Sequence, residues 1–291
     1  MSPLLAWCLG LNIESSATIA AVSASQALPI KFEAINRSKV PVQLLEVRTP
    51  TTGETLKLDV PLPTDQFVVK DLTPTLPKDI VWSQPYWLRK PATLGTFTVD
   101  DQALIGLPEK PPPFPVEVAL RVGDQDLRYS IDTKYRTVDP IIGEVRLELV
   151  IAPPVFVNLS NPVFVFGDDK SKPVQVRVAA STAAVRGQLR LEAPKGWGIE
   201  PASIPIELKN ANAEISPSFT IQPPPNANEA MLRAIVSVGG HDYAFSRERI
   251  SYPHIGLHVL LPPAEAKIVR PDIRRKGERI GSTPSAGDES P

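Results

Sequence analysis

Asp100 and Asp101 stand side by side, a short way downstream of Trp82, Tyr86, Trp87 and Arg89. Two carboxylates within reach of one substrate are the raw material of a metal site or of a general acid and base. Adjacent residues on an extended chain point to opposite sides, however, and no histidine lies near them in sequence. Packing in a loop or at a domain interface is therefore the first reading of these residues. Ligand contact is the second. Tryptophan, tyrosine and arginine together are what a protein interface uses as anchors, and flat aromatic rings also stack on sugars. These six residues are the candidate ligand-binding set, and no catalytic residue is assigned.

The other chemistry-bearing residues are sparse. His254 and His258 are four apart, with His241 upstream. On a helix that spacing ligates zinc, but Pro253 and Gly256 interrupt any helix there. In a strand the two would stand about 13 Å apart. Without a cysteine or a close carboxylate to complete the set, no metal site is assigned. Cys8 is the single cysteine, which excludes an internal disulfide. With 31 basic and 32 acidic residues the formal net charge is -1. Such a chain offers no basic field to nucleic acid and no polybasic patch to a membrane. No apolar run approaches the ~18 residues of a membrane span.

The elements that position these residues are strands. Of 291 residues, 33 are proline, about twice the usual share. Proline breaks helices and is confined to strand edges and turns. Ile30, Phe32 and Ala34 alternate with Lys31 and Glu33, the period of a half-buried strand. Segments around Asn12, Ile30 and Val42 read as three strands, and Thr55–Val60 and Gln66–Leu72 as two more. Val116, Val118, Leu120 and Val122 alternate up to a Gly123-Asp124 turn, and residues 127–135 return. That is a hairpin. Residues 80–115 interrupt this pattern as a long irregular insertion, a kind of segment that is often functional.

A second run of strands follows residues 143–154. Its clearest stretch is 193–225, where Gly196 and Gly198 flank Trp197. Ile204, Ile206 and Leu208 alternate, a polar turn spans 209–212, and a second extended segment carries Ile215, Phe219 and Ile221 to three prolines. The pattern predicts a hairpin with Trp197 as a core plug. Gly239-Gly240 between two alternating runs predicts another. Residues 1–13 lack the positive start of a signal peptide, and Trp7 is too large for a lipoprotein cleavage site before Cys8; they read as a junction segment. Residues 263–291 are basic, then polar, and read as a flexible tail.

The predicted fold is all-β: two tandem Ig-like or fibronectin-like antiparallel β-sandwiches, at 14–142 and 143–262. The motifs Y-W-L-R-K-P, T-V-D-D-Q-A-L-I-G-L-P-E, D-P-I-I-G-E, P-P-V-F-V-N, G-W-G-I-E-P-A-S-I-P-I-E-L, S-Y-P-H-I and P-P-A-E-A-K resemble, in order, the region downstream of the catalytic domain in large bacterial PIG-L (LmbE-like) deacetylases. The second half also resembles the Ig-like domain associated with alpha-galactosidases. The resemblance implies a bacterial periplasmic or extracellular setting, adjacent domains of a larger polypeptide as partners, and N-acetylated sugars as the parent's substrates. That family holds zinc through an A-H-P-D-D type motif in its catalytic domain. The motif does not occur in this sequence, so no catalytic residue and no cofactor is carried over, and zinc is expected only in that domain. Both ends resemble junctions, as in a fragment or a stand-alone derivative of the accessory region. The expected role is structural. The alternative is a carbohydrate- or protein-binding module that uses the Trp/Tyr-rich segment.

Overall fold

The computed structural model describes residues 3–252 and 255–272. The chain is all-β. Among the described residues, helix is confined to α1 (Pro3–Cys8) and two 3-10 turns at Tyr86–Leu88 and Gln102–Leu104.

The first sandwich is built from β1 (Leu11–Ala17), β2 (Ala21–Val22), β3 (Ile30–Asn36), β4 (Val42–Thr49), β5 (Glu54–Pro61), β6 (Phe67–Leu72), β7 (Pro115–Val122), β8 (Gln125–Asp139), β9 (Gly143–Glu148) and β10 (Val150–Ile151). One leaf runs β5-β4-β7-β8 and the other β6-β3-β1-β8-β9. The long β8 belongs to both. Its first half pairs with β7, from Val122↔Gln125 to Pro115↔Asp132, and its second half lies between β1 and β9. Alternation sends Phe32, Leu44, Val116, Val118 and Leu120 into one fully buried core. Each such side chain contributes about 1.5–3 kcal/mol relative to exposure.

The second sandwich comprises β11 (Val155–Leu159), β12 (Val163–Val165), β13 (Lys172–Ala180), β14 (Val185–Glu192), β15 (Gly198–Glu200), β16 (Ile204–Leu208), β17 (Glu214–Ile215), β18 (Ser218–Gln222), β19 (Asn228–Val238), β20 (His241–Tyr243), β21 (Glu248–Tyr252), β22 (Ile255–Leu260) and β23 (Glu265–Arg270). One leaf runs β11-β13-β18-β15, the other β12-β23-β19-β14-β16, and β21 and β22 form a separate ribbon. Trp197 closes this core. It is 8% exposed, meets the Phe166 ring edge-on at 5.1 Å and donates from Nε1 to Asn228 Oδ1 at 3.1 Å.

Several expectations change. The stretch after Trp197 is no hairpin: β16 pairs with β14 and β18 with β13 and β15, in opposite leaves. Alternation says which face of a strand is buried, not which strand lies beside it. The Gly239-Gly240 turn does join β19 to β20, with Val238 opposite His241. Three short pairings are parallel, β1 with β8, β2 with β10 and β12 with β23, in sheets expected to be antiparallel throughout. The boundary at 142/143 also moves, because β9 pairs with β8 and β10 with β2. Residues 265–270, expected in the tail, form β23 between β12 and β19, with Ala266 and Ile268 fully buried. The junction segment 1–13 holds α1 and the start of β1. Residues 273–291, the rest of the expected tail, lie outside the described residues.

Candidate functional site

The insertion begins at the seam between the sandwiches. The connector that crosses this seam is not a loose linker. Val150 N–H donates to the Ala20 carbonyl and Ala152 N–H to the Val22 carbonyl, so the chain is zipped to β2 on one side. Ser83 holds the other side. Its N–H donates to the Ile151 carbonyl at 2.7 Å, and its Oγ accepts from the Ile151 N–H at 2.9 Å. Ser23 Oγ donates to the Ala152 carbonyl at 2.7 Å. Leu149, Ile151 and Ala152 are fully buried. A buried backbone must have its polar groups paired, and here strand and serine partners pair them from both sides.

Apolar packing follows the same line. Ala152, Phe156, Val259 and Leu261 form a small buried cluster, with Trp82, Val150 and Phe245 against it. Trp82 also touches the core of the first sandwich. Two polar contacts cross the seam directly. Leu261 N–H donates to Gln84 Oε1 at 3.3 Å, and Gln26 Nε2 donates to Thr182 Oγ1 at 3.4 Å.

The six candidate residues do not converge. Trp82 is a seam residue. Tyr86 is buried, donates from its hydroxyl to the Leu107 carbonyl at 2.9 Å, and meets Trp87 edge-on at 4.8 Å. Like Trp82, Trp87 is half-buried. With Tyr86, Phe97, Val99 and Ile105 it lines a shallow groove of ≈ 640 Å³. Phe97 and Ile105 are 58% and 62% exposed, a large apolar surface for an ordinary loop. Arg89 is exposed on the following turn. Asp100 forms an ion pair with Lys90, and Asp101 caps the second 3-10 turn by accepting from Ala103 N–H at 3.0 Å. The two carboxylates therefore serve the loop's own geometry. At the far end of the insertion Lys110, with a side chain 8% exposed, binds Glu148 of β9 at 2.6 Å.

Among the described residues no three His, Cys, Asp or Glu side chains are grouped to hold a metal. His241 lies on β20 and His258 on β22, opposite Ile250; His254 lies outside the described residues. Among the described residues no helix is long and apolar enough to cross a membrane.

Sequence reading missed Ser83 and Gln84, which look like loop filler beside the aromatics. It also missed Phe156 and Arg247 of the second sandwich. For Arg247 a signal existed: in S-R-E-R-I, residues 247 and 249 share one face of an extended chain.

No protein-family model matches the chain, and no curated protein matches its sequence. Among solved structures, native Escherichia coli alpha-2-macroglobulin is similar over 90% of this chain and 17% of its own, at 10% identity and a TM-score of 0.29. A Salmonella alpha-2-macroglobulin reacted with methylamine is similar over 90% of this chain and 16% of its own, at 12% identity and a TM-score of 0.29. A protein of unknown function from Porphyromonas gingivalis W83 is similar over 89% of this chain and 98% of its own, at 10% identity and a TM-score of 0.23. The chain thus spans only a small part of the two alpha-2-macroglobulins, and similarity at these scores carries no argument about function.

Proposed function

We propose that this chain is a non-catalytic accessory region, a two-sandwich strut that sets the spacing and orientation of neighbouring domains in a longer polypeptide. The observation that carries the reading is the connector at 149–152, hydrogen-bonded on both sides, with Leu149, Ile151 and Ala152 buried. A strut needs a joint that transmits orientation, and default inter-domain joints are exposed, flexible and mobile. The sequence motifs support a parent of the PIG-L (LmbE-like) deacetylase type that acts on N-acetylated sugars at a periplasmic or extracellular site. In that reading the zinc and the hydrolysis belong to the parent's catalytic domain.

The test has two arms. An antibody raised against this chain should detect, in source cells, a protein much larger than 31.7 kDa. In solution, X-ray scattering from the purified chain should fit one rigid arrangement of the two sandwiches. A native band at the size of this chain, or scattering that needs a broad ensemble of orientations, overturns the strut.

A specific observation favours one second reading. The groove of Trp87, Phe97 and Ile105 presents an exposed apolar and aromatic surface on a well-anchored loop. We propose it as a contact for a glycan or a protein partner. Saturable quenching of tryptophan fluorescence by N-acetylated polysaccharides, lost in Trp87→Ala, would support the glycan. Quenching that survives the substitution would refute it.

A further inference from the structure

A second cleft, of ≈ 690 Å³, lies beside the seam and is walled by both sandwiches. Ile19, Ala21 and Leu147 line it from the first, and Phe156 and Val259 from the second. Ser181 and Asn212 supply neutral hydrogen-bonding groups, while Gln26 and Thr182 line the cleft bonded to each other. This is the size and mixture of an apolar ligand pocket with a few polar anchors.

Its charged groups are unevenly matched. Glu148 lines the cleft, but Lys110 already holds its carboxylate. Arg247 and Arg249 line it as well. The Arg247 side chain is only 15% exposed. Its guanidinium lies over the Phe156 ring, 4.6 Å from the centroid. The carboxylate it faces, Glu214, stands 3.9 Å away, beyond hydrogen-bond reach. Neither Glu214 nor the Phe156 ring gives the guanidinium a hydrogen bond. Burial, followed by the like charge of Arg249, depresses its basicity; Glu214 opposes this and Arg177 adds to it. A guanidinium is a planar fork of five donors that fits a carboxylate with two parallel bonds. The ring beneath it fixes its plane.

We propose that this cleft binds a small organic carboxylate, with its oxyanion on the Arg247 fork and its apolar body along Phe156, Ile19 and Val259. Arg249 at the mouth adds attraction for the approaching anion. Glu214 competes with the ligand for Arg247.

Benzoate is the probe, and the neutral isostere benzamide is the control. Calorimetric titration of the full chain at low ionic strength should show saturable 1:1 binding of benzoate and none of benzamide. Arg247→Gln should weaken benzoate by about tenfold or more, the scale of a lost charge-assisted pair. Glu214→Gln should strengthen it several-fold, because it removes the competing carboxylate. Circular dichroism establishes whether each variant is folded; if Arg247→Gln is not, Glu214→Gln decides. The proposal is overturned if wild type binds no benzoate, if benzamide binds as well, or if inorganic phosphate binds while benzoate does not. It is also overturned if folded Arg247→Gln binds like wild type, or if Glu214→Gln gains nothing.

Discussion

Ser83→Ala tests whether the joint is held as described. Ser83 and Ile151 are both buried, and the Ser83 hydroxyl is the acceptor for the Ile151 N–H at 2.9 Å. Alanine keeps the Ser83 backbone bond to the Ile151 carbonyl but leaves that N–H without a partner. A buried donor stranded in this way costs about 1–3 kcal/mol. For a chain of 291 residues that is a fall of roughly 2–5 °C in the unfolding midpoint. Hydrogen exchange gives a sharper readout. If the amide opens locally, its protection should fall about 5- to 150-fold, which is the same energy expressed as an equilibrium ratio. The amides of Val150 and Ala152 donate to Ala20 and Val22 instead, so they should keep most of their protection. Ser83→Thr restores the acceptor and should recover protection at Ile151. If Ser83→Ala leaves the Ile151 amide within about twofold of wild type and the midpoint unmoved, the serine does not hold the joint, and the strut loses its main support.

Other substitutions probe the second sandwich. Trp197→Ala should cost about 3–5 kcal/mol in urea unfolding. Trp197→Phe should cost less, about 1–3 kcal/mol, because it keeps a ring against Phe166 but loses the bond to exposed Asn228 and the volume of the indole's second ring; equal losses for the two would remove Trp197 as the plug. Gly187→Ala should destabilise by about 2–3 kcal/mol, because a Cβ there would lie 2.2 Å from the Ser237 carbonyl oxygen of the neighbouring strand; an unchanged midpoint would refute that register. Hydrogen bonds from Arg190, then from Ser237, lower the Asp242 carboxyl from 3.8 to about 2. Because the folded value lies below the unfolded one, the stabilisation is present above pH ~4 and is lost as pH falls through about 2. Carboxyl-carbon NMR should show Arg190→Gln moving this titration upward, and a curve identical to wild type would show that the pair does not form.

How much of this was legible in the sequence follows from what alternation can encode. The period of Ile30, Phe32 and Ala34, or of Val174, Val176 and Val178, states which face is buried, and those faces are the two cores. Pairing is a different quantity. Ile204–Leu208 and Ser218–Gln222 are close in sequence and both alternate, yet they add to β14 and to β13 in opposite leaves. Nothing in either strand's own period distinguishes a turn within one sheet from a crossing between two. Joints are harder still. Trp82 was visible as an aromatic in an irregular segment, but its neighbours Val150 and Phe156 are brought to it only by long-range closure of both sandwiches. The same closure decides which charges matter. Asp100 and Asp101 drew attention because they are adjacent, and adjacency let them serve Lys90 and a 3-10 turn. Arg247 drew none, because the sequence does not show that it will be buried against Phe156, out of hydrogen-bond reach of Glu214. Chemistry that depends on a group being badly matched to its surroundings cannot be read until those surroundings are assembled. The seam, where surroundings come from two different sandwiches, is therefore the part of this molecule least written in its sequence.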